Sequence, residues 1–201
     1  MKVTEKHHAP KKINFSAFSN SNTNQENLTA DAVNSEAVDV KVEKISERQR
    51  RISAKIHILR PIEQVWKVLT DYEALTQFVP NLVKSRLLPH PTGGIRLEQI
   101  GSGQLLRMNF SARVVLDLEE YFPDKICFEM VEGDFKVFCG SWLLAPIYLE
   151  GEVATTSLCY TIEVLPRLTM PVGLIERRMS DDLRSNLLAI RQQTENLFSY
   201  A

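Results

Sequence analysis

Apolar residues recur along this chain with two distinct periods. Ile52, Ala54, Ile56 and Ile58 alternate with Ser53, Lys55 and His57, the period-two pattern of a strand with one dry face. The pattern returns over Val83 to Leu88 and over Ile95 to Ile100. It is most regular where Leu106, Met108, Phe110, Ala112, Val114 and Leu116 alternate with Arg107, Asn109, Ser111, Arg113 and Asp117. Ile126, Phe128 and Met130 share a face further on, then Phe138, Gly140, Trp142 and Leu144, then Leu158, Tyr160, Ile162 and Val164. Turn residues separate these runs: His90 to Gly94, Gly101-Ser102-Gly103, Pro123-Asp124, Gly133-Asp134, and Pro146 with Gly151. A Gly between Phe138 and Trp142 predicts a close approach or a local bend.

The second period is helical. Pro61 opens a short helix anchored by Val65, Trp66 and Leu69, and Asp71 is placed to cap a second one, Tyr72 to Phe78, which Pro80 and Asn81 end. From Pro171 to Phe198, Val172, Ile175, Met179, Leu183, Leu187, Ile190, Thr194 and Leu197 recur at steps of three or four. Arg177, Asp181, Arg184, Arg191 and Glu195 fall largely off that stripe. The helix predicted there is roughly 40 Å long and needs a surface to lie on.

The order is strand, two short helices, six strands, long helix. Short turns between neighbouring strands make an antiparallel sheet of about seven strands. A strand of about 15 residues near Leu105 would run roughly 50 Å, long enough that the sheet must twist and curl. The expected class is α+β, a curved sheet closed around one C-terminal helix.

Composition adds limits. The chain has 201 residues, 44% of them hydrophobic, and a formal net charge of -1, which gives no electrostatic footprint for nucleic acid. Residues 1–45 are polar and without a sustained period, so they are expected to be a disordered tail, with 46–201 forming one domain. No apolar run reaches the ~20 residues of a membrane span. The start lacks the apolar core of a signal peptide, and no Arg precedes Arg48 as a transit peptide would favour. A cytoplasmic protein is therefore expected, with a plastid or other organelle as the alternative if the tail is a transit peptide. Cys127, Cys139 and Cys159 show no metal-ligand spacing and read as free thiols.

Candidate chemistry is sparse. No GxSxG or HExxH pattern occurs, and the Gly101-Ser102-Gly103 turn is no phosphate loop. His57 falls on the polar register of its strand and reads as a solvated residue rather than a base. Arg107 and Arg113 share the wet register, where they read as a solvated sheet face rather than as an anion clamp. No catalytic residue, metal ligand or cofactor is assigned.

Several segments carry a resemblance: Pro61-Ile62-Glu63-Gln64-Val65-Trp66, Leu69-Thr70-Asp71-Tyr72-Glu73, Phe78-Val79-Pro80-Asn81-Leu82, Gly133-Asp134-Phe135-Lys136, Gly140-Ser141-Trp142 and Asp182-Leu183. With the element order, they resemble the START-like helix-grip superfamily. Within it they look most like the polyketide cyclase/dehydrase and coenzyme Q-binding branch, of a cyanobacterial or plastid type. The resemblance covers about Ile52 to Phe198. It implies a cavity between sheet and terminal helix for an apolar or amphipathic molecule. The residues expected to line it are Phe78, Leu97, Gln99, Met108, Phe110, Phe128, Met130, Phe138, Trp142, Tyr160, Ile175, Met179 and Leu183. Gln99 and Tyr160 would orient a polar end, and the register of 135–144 stays open.

Three functions follow as expectations. The first is a non-catalytic binder or carrier of a quinone, lipid or isoprenoid. The second is an aromatase/cyclase or dehydrase, which needs a positioned acid or base beside the cavity. The third is an interaction module in which Arg177, Arg178 and Arg184 make a transient membrane contact or dock a partner.

Overall fold

A computed structural model describes residues 38–105, 108–148 and 155–199. Among them, eight strands form one antiparallel sheet in the order β1-β2-β8-β7-β6-β5-β4-β3. The strands are β1 Asp39–Lys44, β2 Arg50–Ile58, β3 Leu82–Leu88, β4 Ile95–Leu105, β5 Met108–Tyr121, β6 Lys125–Gly133, β7 Phe135–Ile147 and β8 Thr155–Pro166. Helix α1, Ile62–Thr70, follows β2, and α2, Val172–Leu197, ends the fold. This is the expected α+β helix-grip architecture.

The alternation in β2 is realised in full: Ile52, Ala54, Ile56 and Ile58 are buried. In β8, Leu158, Ile162 and Val164 are fully buried on the same side. Helix α2 lies mainly along β2, flanked by β1, β8 and α1. Its buried face is Ile175, Leu183, Leu187, Ile190 and Thr194. The stripe frays at its far end, where Leu197 is exposed. Polar ties fix the helix in place. Arg50 Nε lies 2.6 Å from Glu176 Oε2, and Arg60 Nη2 donates to the Glu195 carbonyl at 3.1 Å.

Four sequence expectations need correction. The stretch read as tail already contains β1, which makes eight strands where about seven were expected. Val38, Val40 and Val42 alternate there with Asp39, Lys41 and Glu43, and Val38 is buried. Charges on the outward register suit an edge strand, and they masked the signal. The rest of the expected tail lies outside the described residues. The second short helix is one 3₁₀ turn, Ala74–Gln77, and Asp71 meets it through its backbone carbonyl, accepting from the Ala74 N–H at 3.1 Å. Gly101-Ser102-Gly103 is no turn: it stays in β4, paired with Phe110 to Ala112. The second of the two glycines leaves room for the Arg178 guanidinium of α2, since a Cβ at Gly103 would sit 2.2 Å from Arg178 Nη2.

The outer face of the sheet is a lattice of ion pairs. Glu98, 5% exposed, receives Lys84 at 2.8 Å, Arg86 at 3.0 Å and Arg113 at 2.7 Å, and Arg113 also reaches Glu132 at 2.6 Å. Arg113 is therefore a paired sheet residue, not half of an anion clamp; Arg107 lies outside the described residues. Lys84 and Arg113 hold the Glu98 carboxyl down to about 2. His57, also off the inner face, contacts Thr155 Oγ1 at 2.6 Å, and burial lowers its pKa. All three cysteines are free, and burial pushes the Cys139 thiol up to about 11.

Two predictions follow from this packing. A carboxylate whose pKa is lower folded than unfolded stabilises above its unfolded value, about 4.3 for Glu, and loses that stabilisation as pH falls. Urea midpoints of Glu98→Gln should therefore decline less than wild type between about pH 4.3 and 2. Gly140 pairs across β7 and β8, where an added Cβ would lie 2.0 Å from the Thr161 carbonyl oxygen. Gly140→Ala should destabilise by about 1–3 kcal/mol in urea unfolding.

Candidate functional site

Between α2 and the inner face of β4 to β8 lies a cavity of about 170 Å³. The sheet supplies its floor. Leu97 of β4, Val114 and Leu116 of β5, and Phe128 of β6 present one dry register, and β7 adds Phe138 and Trp142. That resolves the register of 135–144: Phe138 and Trp142 face inward, with Gly140 between them. Trp142 stacks on Tyr160 with ring centroids 3.6 Å apart and planes 8° from parallel. Phe128 and Phe138 lie 5.9 Å apart, and Phe135 stacks on Phe138 at 5.4 Å. Stiff rings held in stacked and tilted contact cannot collapse into the space beside them, so the hollow persists.

The rim is polar, and it is built by three segments. Asn81 has φ +63°, a left-handed conformation that Asn tolerates better than most residues. There its carbonyl accepts from the Ser102 N–H at 2.8 Å, and its Nδ2 donates to Asp182 Oδ1 at 3.4 Å. Asp182 Oδ2 receives Arg178 Nε at 2.9 Å, one turn back along α2. Arg178 Nη2 also donates to the Ser102 carbonyl at 3.2 Å. Pro80 and Asn81 line the cavity and are exposed, so it reaches the surface at this rim. Burial, against the pull of Arg178 and Asn81, raises the pKa of Asp182. Burial, with the neighbouring Asp182 charge, also raises that of Tyr160.

Of the residues expected in the lining, Leu97, Gln99, Phe128, Phe138, Trp142, Tyr160, Met179 and Leu183 border the cavity. Phe78 does not; it packs on the core while its neighbours Leu75 and Val79 reach the space. Met130 is drawn aside, where its sulfur would meet a Cβ at Gly133 at 2.7 Å. Ile175 is buried beyond the cavity. The side chains of Met108 and Phe110 lie outside the described residues. Gln99 finds a protein partner, donating to Ser85 Oγ at 3.3 Å. Sequence reasoning missed Asn81, Asp182 and Asn186, all in the lining. Asp182 and Asn186 sit three and seven residues after Met179, a spacing that places them beside the apolar stripe.

The profile of the family described as polyketide cyclase / dehydrase and lipid transport matches residues 58–188. The chain belongs to that family. Solved structures share the fold. A Thermus thermophilus protein is 17% identical, covering 75% of this chain and 99% of its own, with a TM-score of 0.62. The Zhui aromatase/cyclase of a Streptomyces is 17% identical over 73% and 94%, with a TM-score of 0.58. The STAR-related lipid transfer protein of Xanthomonas axonopodis is 17% identical over 78% and 98%, with a TM-score of 0.57. No curated protein matches the sequence. These likenesses place the chain in the START-like fold, which hosts more than one activity, so the site must carry the functional argument. Among the described residues, no group of three or more His, Cys, Asp or Glu is placed to hold a metal ion, and no helix is long and apolar enough to cross a membrane.

The raised Asp182 pKa has a testable consequence. A carboxyl whose pKa is higher folded than unfolded favours the fold below its unfolded value, about 3.9 for Asp. That advantage is lost as pH rises through the folded value. The urea midpoint of Asp182→Asn should therefore climb relative to wild type from about pH 4 towards neutrality. The opposite slope would mean that the Arg178 pair, rather than burial, governs this carboxyl.

Proposed function

We propose that this protein binds a lipophilic small molecule in the cavity under α2, as a non-catalytic binder or carrier. The observation that carries the proposal is an aromatic-floored hollow left open where side chains could have filled it. Its size limits the ligand. Drug-sized pockets run from roughly 300 to 1,000 Å³, while an engineered void of about 150 Å³ holds benzene. About 170 Å³ suits a quinone-sized ring or the head of an isoprenoid. A diacyl lipid would require α2 and the 79–82 segment to part.

An aromatase/cyclase is the second reading, and Asp182 is what favours it: an ionisable carboxyl on the lining with a raised pKa. Both of its oxygens are engaged, one by Asn81 and one by Arg178, which suits holding the rim together better than moving a proton. A membrane contact through the basic trio narrows to Arg177 and Arg184, because Arg178 is spent on Asp182 and Ser102.

Native mass spectrometry of the freshly purified protein should show a bound small molecule that organic extraction removes. In a Trp66→Phe background, added quinones or isoprenoid alcohols should quench Trp142. Protein that arrives empty and shows no quenching would count against the proposal. Met179→Trp should fill the space and abolish the bound mass while leaving the circular dichroism spectrum unchanged.

A further inference from the structure

The polar inventory of the cavity is one-sided. Among the described lining residues no Lys, Arg or His occurs, and the one ionisable acid is Asp182. Arg178 stands behind that carboxyl, paired with it and with Ser102, rather than in the lining. An anionic ligand head would enter a desolvated space beside a carboxylate, with no cation among the described lining residues to meet it.

Two neutral groups are left without hydrogen-bond partners among the described residues. The Tyr160 hydroxyl has no hydrogen bond to a described group, and Asp182 lies close enough for its charge to raise the phenol's pKa. Asn186, one turn beyond Asp182 on α2, has its Oδ1 buried with no hydrogen-bond partner. An orphaned buried amide oxygen is costly unless something supplies a donor, and turning the amide about its last bond would offer either its oxygen or its nitrogen to the cavity. A hydroxyl is the small neutral group that can donate and accept at once, so it answers Tyr160 and either face of the Asn186 amide.

We propose that the cavity selects a neutral molecule carrying a hydroxyl on an apolar ring or chain, and rejects carboxylates of the same shape. This rests on the ligand-binding reading above and narrows it. Phenols and isoprenoid or fatty alcohols are favoured. Free fatty acids are excluded, and acceptor-only carbonyl or ether heads bind less well than the matching hydroxyl.

Isothermal titration of the full chain with four probes of one shape separates the cases. They are p-cresol, p-methylanisole, p-xylene and p-toluate, compared at neutral pH. The expected result is p-cresol tighter than p-toluate by about tenfold or more, and tighter than p-methylanisole and p-xylene by about three- to tenfold. Tyr160→Phe and Asn186→Leu, each made singly, should reduce the margin of p-cresol over p-xylene while p-xylene binding persists, which also shows that the variant is folded. Equal binding of p-cresol and p-toluate, or of p-cresol and p-xylene, would overturn this inference and leave the ligand-binding reading standing. Failure of all four probes to bind would count against both.

Discussion

One helix cannot cover this sheet. Eight strands spaced 4.7–4.9 Å apart span roughly 34 Å, while an α-helix with its side chains is about 10–12 Å across. The apolar stripe of α2 is satisfied against β2, where Ile52, Ala54, Ile56 and Ile58 form a continuous buried row. The inner faces of β4 to β7 must then be closed by the curl of the sheet, by α1 and the 74–82 segment, and by their own side chains. The cavity lies where those covers fall short.

What keeps that shortfall from healing is the choice of side chains. Leu and Val could shift to fill a gap, at the loss of a few contacts. Here the floor of β6, β7 and β8 carries Phe128, Phe135, Phe138, Trp142 and Tyr160, locked ring against ring. Gly140 lets the ladder stay tight beneath them, with Phe128 Cζ 2.7 Å from where its Cβ would stand. The aromatic cluster holds up the wall of the hollow and forms its surface, so stability and ligand binding draw on the same rings.

The rim obeys a different rule. Asn81, Ser102, Arg178 and Asp182 come from three separate segments, and their partners lie mostly within the group. That closure ties the hairpin of β4 and β5 and the 79–82 segment to α2 across the opening. It also engages the Arg178 guanidinium. The described lining is thereby left with one acid, Asp182, and otherwise with neutral polar side chains: the amides of Asn81, Gln99 and Asn186 and the phenols of Tyr72 and Tyr160.

The sequence alone determined the alternating strands, the long terminal helix with its stripe, and the inward face of most strands, because period-two and period-3.6 burial are local properties of the chain. It also marked Gly140 as a point of close approach or of a local bend. Other features depend on distant partners and were not legible. Gly101 to Gly103 read as a turn because the guanidinium that rests on the last glycine comes from 75 residues further along. The charged alternation of β1 read as tail because only pairing with β2 makes it a strand. Met130 and Ile175 lie on dry registers yet miss the cavity, since a register says which face a residue is on and not where along it the helix stands off. Whether that face closes solidly or leaves room is set by where a rod of fixed width settles on a wider, curled sheet, and only the assembled fold decides it.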